Sequence, residues 1–155
     1  MEKNMLEIKL DLLDESNNRQ MKIFRKLKIY LRDQVNVMEG LLELQKSEDE
    51  FQNEFQALQE GAMSITEDST EENMQVEAFQ KYANAIQEGN NQVNAYRLKI
   101  MNLHASLLVK IFEGQFSADD FIDGADTNYP EICKSIYATI LGEEDIAGSD
   151  EKKSQ

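Results

Sequence analysis

The sequence predicts an all-α protein: an elongated antiparallel hairpin of two long helices, with short flanking helices that form a partial bundle. Three observations predict this fold. The 155-residue chain contains one proline and seven glycines, too few for the many turns of a sandwich or barrel. Apolar residues recur in steps of three and four along two long stretches. The second stretch also carries a seven-residue apolar repeat, which is typical of helices packed side by side.

The opening segment, residues 5–13, fits two kinds of structure. Apolar and polar residues alternate from Leu6 to Leu12 as in a strand, but Leu6, Leu10 and Leu13 also share one face of a helix. We predict a helix, because no later segment has the pattern of a partner strand. The alternative is a strand that pairs with another chain.

The first long helix is predicted over about residues 19–60. Its apolar positions are Phe24, Leu27, Leu31, Val35, Met38, Leu42, Phe51, Phe55 and Leu58. Gly40 and the polar run 47–50 are the points at which it could bend, so the pattern leaves its continuity open. Residues 61–70 lack periodicity and predict the connection, with Ser69 or Thr70 as the cap of the next helix.

The second long helix is predicted over about residues 71–113 and has the clearest pattern in the chain. The predicted helix seam consists of Phe79, Tyr82, Ile86, Val93, Tyr96, Ile100, Leu103 and Leu107. At ~1.5 Å rise per residue such a helix is ~63 Å long, hence the expectation of an elongated molecule. Gly89 and Lys110 interrupt the second stripe of the repeat, which favours local antiparallel packing over a long, uniform coiled coil.

Two short helices are predicted after Gly114. Ser117 is a suitable cap for the first, and Pro130 is suited to open the second, which runs to about Leu141. The predicted buried face of the second is Ile132, Ile136, Tyr137 and Ile140. Residues 1–142 are thus expected to form a single helical domain, and the polar, acidic residues 143–155 a disordered tail.

Composition and charge narrow the classes of function. The formal charge of −14 argues against direct binding to nucleic acid, which depends on Lys and Arg. The single cysteine, Cys133, permits no disulfide within the chain and favours a reducing compartment, so we predict a cytoplasmic protein. No stretch is long and apolar enough to predict a membrane span.

The sequence does not predict catalytic, cofactor-binding or metal-binding residues. His104 is the only histidine, and Cys133 is better explained as a small buried residue than as a reactive thiol. The acidic segment 119–131 fails the calcium-loop pattern, because Phe121 and Pro130 would occupy ligand positions. We therefore expect no enzyme and no cofactor.

The favoured function is protein–protein interaction, as an adaptor, a secretion-type chaperone or an assembly subunit. A two-helix hairpin covers only one side of each helix, so apolar residues off the seam need another surface. The candidate partner-binding residues are Ile23, Tyr30, Leu41, Leu44, Leu108 and Phe112. The partner is another protein, and the sequence leaves open whether a second copy of the chain also binds.

Two alternatives rest on charge. Residues 48–77 contain ten acidic and no basic side chains, which could imitate nucleic-acid phosphates in an inhibitor of a DNA- or RNA-binding protein. The candidate acidic surface is Glu48, Asp49, Glu50 and Glu54. Residues 19–32 contain six basic and no acidic side chains, and as an amphipathic helix they could instead bind a membrane surface.

Overall fold

The structure, a computed structural model, describes residues 5–67 and 72–143, and the side chains of all of these except 65–67 and 72–75. The protein is mostly helical, with two long packed helices and short helices, which confirms the predicted fold class, and it adds a small N-terminal β-hairpin. The elements are β1 (Leu6–Leu13), β2 (Arg19–Lys26), α1 (Leu31–Glu67), α2 (Glu72–Ile111), α3 (Ala118–Gly124) and α4 (Tyr129–Leu141).

The β-hairpin corrects two predictions. Residues 5–13 are not a helix, and the first long helix does not begin at residue 19, because β1 and β2 pair antiparallel with Leu6 opposite Lys26 and Leu13 opposite Arg19. The partner strand lies within the same chain. Sequence periodicity misses β2 because most of the strand is exposed and therefore has no buried face to mark it.

A tight turn joins the strands. The Asp14 carbonyl accepts a hydrogen bond from the Asn17 N–H at 3.0 Å, and the Asp14 N–H donates to the Asn18 carbonyl at 2.9 Å. Asn17 has a φ of 63°, the left-handed conformation that asparagine tolerates better than most residues. The loop between Asp14 and Asn18 has three residues and ends on a left-handed one, as three-residue hairpin loops commonly do.

Helix α1 begins later and ends later than predicted. It starts at Leu31, where the Asp33 carboxylate accepts a hydrogen bond from the Tyr30 N–H at 2.7 Å. It then runs without a break through Gly40, through 47–50 and through residues 61–67, where the sequence pattern predicts the connection. Residues 61–67 contain no proline, and Gly61 is exposed, so no residue in this segment forces the helix to end.

The remaining helices lie close to their predicted bounds. Helix α2 ends where Glu113 and Gly114 take positive φ values of 56° and 74°. Ser117 caps α3 through a reciprocal capping box with Asp120, and the first turn of α4 contains Pro130, as predicted. The proposed caps Ser69 and Thr70 lie outside the described residues, as does the predicted tail from residue 144 onwards.

The chain divides into two compact units. The first consists of Met1–Leu42 and Met101–Gln155, and the second of Glu43–Ile100. The apolar core described here lies in the first unit, where the inward side chains of β1 pack with the C-terminal part of α2 and with α3 and α4. Its largest fully buried side chains are Phe112, Phe121, Leu10, Leu108, Ile111, Ile140, Val37 and Cys133.

Candidate protein-binding groove

The second unit contains the site that the structure favours as functional. Within it α1 and α2 run antiparallel, because Phe51 contacts Tyr96 whereas Leu58, later on α1, lies near Gly89, earlier on α2. The rings of Phe51 and Tyr96 stack with their centroids 4.3 Å apart. Further along, a Cβ at Gly89 would lie 3.5 Å from the Leu58 side chain, so the small residue allows the two helices to approach each other there.

An apolar groove opens beside this contact, with a volume of about 410 Å³. The residues that line it are Phe55, Leu58, Gln59, Ala62, Met63, Tyr82, Ala85, Ile86, Gly89 and Asn90. Large apolar side chains around it face solvent: Phe79 is 74% exposed and Ile86 is 50% exposed. Val76 and Met63 are exposed as well. We refer to these lining and flanking residues together as the apolar groove.

The predicted seam divides along its length. Leu107 is buried, and Val93, Tyr96, Ile100 and Leu103 are half-buried, as expected of residues between packed helices. Tyr82 and Ile86 are exposed in the lining of the groove, and Phe79 is exposed about one helical turn before Tyr82. The repeat therefore describes helix packing in its C-terminal part and an open apolar face in its N-terminal part.

The six candidate partner-binding residues fall into two groups, one exposed or half-buried and one fully buried. Ile23, Tyr30 and Leu41 are exposed, and Leu44 is half-buried. Leu108 and Phe112 are fully buried in the core of the first unit, so their assignment to a partner surface is wrong. Both belong to the core cluster that also contains the inward side chains of β1.

The predicted acidic surface is exposed as expected. Glu48, Asp49, Glu50 and Glu54 all face solvent, and Lys99 lies 3.7 Å from the Glu50 carboxylate. Burial, together with the charge of Glu48, raises the pKa of Tyr96. Residues 43–100 contain twelve acidic and four basic side chains, so the groove lies in a strongly acidic unit.

The basic run 19–32 is not an amphipathic helix. Residues 19–26 form strand β2 and only the last two residues of the run belong to α1, so the predicted membrane-binding helix is wrong. No helix among the described residues is long and apolar enough to cross a membrane.

His104 and Cys133 are held in packed, largely buried surroundings. The His104 ring stacks on Tyr137, with Nδ1 2.8 Å from the tyrosine hydroxyl, and burial lowers the pKa of the imidazole. Burial raises the pKa of the Cys133 thiol to about 12, which keeps it protonated and unreactive at neutral pH. Among the described residues, no group of three or more His, Cys, Asp or Glu side chains could hold a metal ion.

Sequence reasoning misses one wall of the groove. The pattern predicts a connection at Ala62 and Met63, but both residues belong to α1 and line the groove together with Tyr82 and Ile86 of α2. A signal for this is present, because Phe55, Leu58 and Ala62 continue the three- and four-residue steps of α1.

These features define a class of protein: a mostly helical protein with an open apolar groove between its two long helices. The chain belongs to the phage tail chaperone family, whose profile, described as phage tail chaperone protein, matches residues 60–155. Members of this family are assembly chaperones that bind tail proteins. The matched segment contains the end of α1 and all of α2, α3 and α4.

No curated protein and no solved structure shows significant similarity to the chain. The assignment to a family therefore rests on the family profile, and it favours the predicted non-enzymatic protein–protein interaction over the acidic inhibitor of a nucleic-acid-binding protein.

Proposed function

We propose that this chaperone holds a tail tube or tape-measure protein through the apolar groove until that protein enters the growing tail, in the cytoplasm of the infected host. The observation that carries the proposal is the open apolar face formed by Phe79, Tyr82 and Ile86. Exposure of several large apolar side chains side by side is costly in a soluble protein unless the surface binds something.

The groove favours a helical segment of the partner. It lies between two helices, and an amphipathic helix buries its apolar face in such a groove by placing side chains three and four positions apart. The surrounding unit is acidic, with Glu54, Glu60 and Glu88 exposed near the groove. We therefore propose that the flanks of the bound helix are basic, which would speed association through electrostatic steering.

Paired substitutions test the proposal. Phe79→Ser with Ile86→Ser should reduce co-purification of co-expressed tail tube or tape-measure protein at least tenfold, because the bound apolar side chains lose their contacts. Leu98→Ser is the matched control, since Leu98 lies on the same helix, is 56% exposed and does not line the groove. Unchanged capture by the double variant, with normal helix content, would contradict the proposal.

The acidic surface provides a second comparison. Replacing Glu48, Asp49, Glu50 and Glu54 with Gln removes four charges and leaves the apolar groove intact. A chaperone that binds through the groove should lose association rate and salt dependence but keep most of its affinity. Complete loss of binding would instead favour a charge-driven function.

A further inference from the structure

The β-hairpin lies outside residues 60–155, which match the family profile, and it presents an open strand edge. A two-stranded sheet has two outer edges. On β1 the edge is covered at Asp11, because α3 approaches so closely that a Cβ at Gly124 would lie 2.6 Å from the Asp11 carbonyl oxygen. The Asp11 carbonyl also accepts a hydrogen bond from the Arg19 guanidinium at 2.9 Å. The other outer edge is that of β2.

The turn geometry shows which backbone groups point outward from β2. Asp14 and Asn18 form a hydrogen-bonded pair, and such pairs alternate along an antiparallel ladder. With the observed register, Gln20 and Lys22 bond to β1, whereas Met21 and Ile23 direct their N–H and C=O groups away from it. The next outward carbonyl, at Arg25, accepts a hydrogen bond from the Gln115 amide at 2.8 Å, which marks one end of the open edge.

The open edge is exposed on both faces. Met21 is 61% exposed and Ile23 is 45% exposed on the outer face of the hairpin, and Gln20 and Lys22 are exposed on the other face. Among the described residues, the backbone groups of Met21 and Ile23 have no hydrogen-bond partner. Such an edge is a template for an added strand.

Charge decides which kind of strand fits. Strand β2 contains four basic residues and no acidic ones: Arg19, Lys22, Arg25 and Lys26. Arg25 and Lys26 have carboxylate partners, but Lys22 forms no ion pair with a described residue. A second copy added antiparallel about Lys22 would set that lysine against its own equivalent, and like charges directly opposite are destabilising. An acidic strand has no such penalty.

We propose that the edge of β2 over residues 19–23 binds an extended, acidic segment of a partner protein by strand addition. The backbone of the segment pairs with Met21 and Ile23, its apolar side chains lie beside those two residues on the outer face, and its alternate carboxylates lie beside Lys22. The expected pattern is an alternation of apolar and acidic residues. The chaperone thus has a second docking surface in addition to the apolar groove.

The probe for a test is a fluorescein-labelled peptide of about seven residues, the length of a typical strand, in which valine alternates with glutamate. It should bind saturably to the full chain, slow hydrogen exchange at the Met21 and Ile23 amides, and bind at least tenfold more tightly than the same peptide with lysine in place of glutamate. Absence of saturable binding, or equal binding of the two peptides, would overturn the proposal.

Two variants make the test specific. Ile23→Pro removes an outward N–H but no bond of the β1–β2 ladder, so the hairpin remains and peptide binding should weaken at least tenfold. Ile23→Thr is its matched control, which keeps the N–H and should bind within threefold of the wild type. Lys22→Glu should exchange the preference between the two peptides. Equal binding by the proline and threonine variants, or protection of these amides by dimerisation of the wild type, would contradict strand addition by an acidic partner.

Discussion

At the scale of single residues, small side chains decide where elements approach closely. Gly124 lets α3 approach the β1 backbone, and Gly89 lets Leu58 approach α2. Sequence could not distinguish these glycines from Gly61, which lies on α1 in open space, with no neighbouring atom within 4 Å of the point that a Cβ would occupy. These glycines differ in the tertiary contacts around them, and the sequence pattern around each glycine does not show those contacts.

The first prediction compares Gly124→Ala with Gly61→Ala. The first should destabilise the protein by about 1–3 kcal/mol, because the added methyl group meets a backbone carbonyl that must move. The second should stabilise it by about 0.5–1 kcal/mol, because alanine is the better helix former at an open position. Urea unfolding of the two variants measures both effects, and equal midpoints would contradict the described packing of α3 on β1.

The second prediction concerns His104. Burial lowers its pKa in the folded protein, so between the folded and unfolded pKa values the unfolded state binds more protons. The contribution of His104 to stability is therefore complete above about pH 6.5, the usual histidine pKa, and falls as the pH drops through the lowered value. In urea unfolding followed from about pH 7.5 downwards through about pH 6.5, His104→Gln should lose less stability than the wild type. An equal or larger loss in the variant would contradict this assignment.

At the scale of elements, the hairpin and α1 are joined by a buried ion pair. Lys26 at the end of β2 lies 3.2 Å from Asp33 in the first turn of α1, and both side chains are almost fully buried. Glu113, which is mostly exposed, lies 3.1 Å from the same ammonium group. Sequence periodicity predicts Lys26 and Asp33 on one helix, so it could not show that they join two elements.

The third prediction follows from this pair. Asp33→Asn leaves the Lys26 ammonium with the exposed Glu113 as its one carboxylate partner among the described residues, and the loss should approach the ~3–5 kcal/mol typical of removing one partner from a buried pair. Glu113→Gln is the comparison and should cost ~0–1 kcal/mol, as expected for an exposed partner. The free energy of unfolding in urea measures both, and a smaller loss for Asp33→Asn than for Glu113→Gln would contradict the described burial.

The elements show what sequence could and could not predict. Helices α2, α3 and α4 follow from apolar periodicity, a serine cap and an early proline, which are local signals. The strands do not, because β1 fits both periods and β2 has exposed apolar residues at Met21 and Ile23. Their structure depends on pairing between strands, which is decided by tertiary packing.

At the scale of the whole molecule, the residues of the seven-residue repeat lie in two different environments along one helix. Leu107 is buried in the core, whereas Phe79 and Ile86 are exposed in the apolar groove. The sequence predicts an apolar face on these residues and a need for a partner. It could not predict which part of the face the chain covers itself, because that depends on the β-hairpin and on the full length of α1.

The most direct test of the proposed binding site is a hydrogen-exchange map of the chaperone with and without its bound tail tube or tape-measure protein. We predict that binding slows exchange in residues 55–63 and 79–90, which form the apolar groove, and that Phe79→Ser with Ile86→Ser abolishes this protection. A stable complex in which exchange in these two segments is unchanged would contradict binding through the groove.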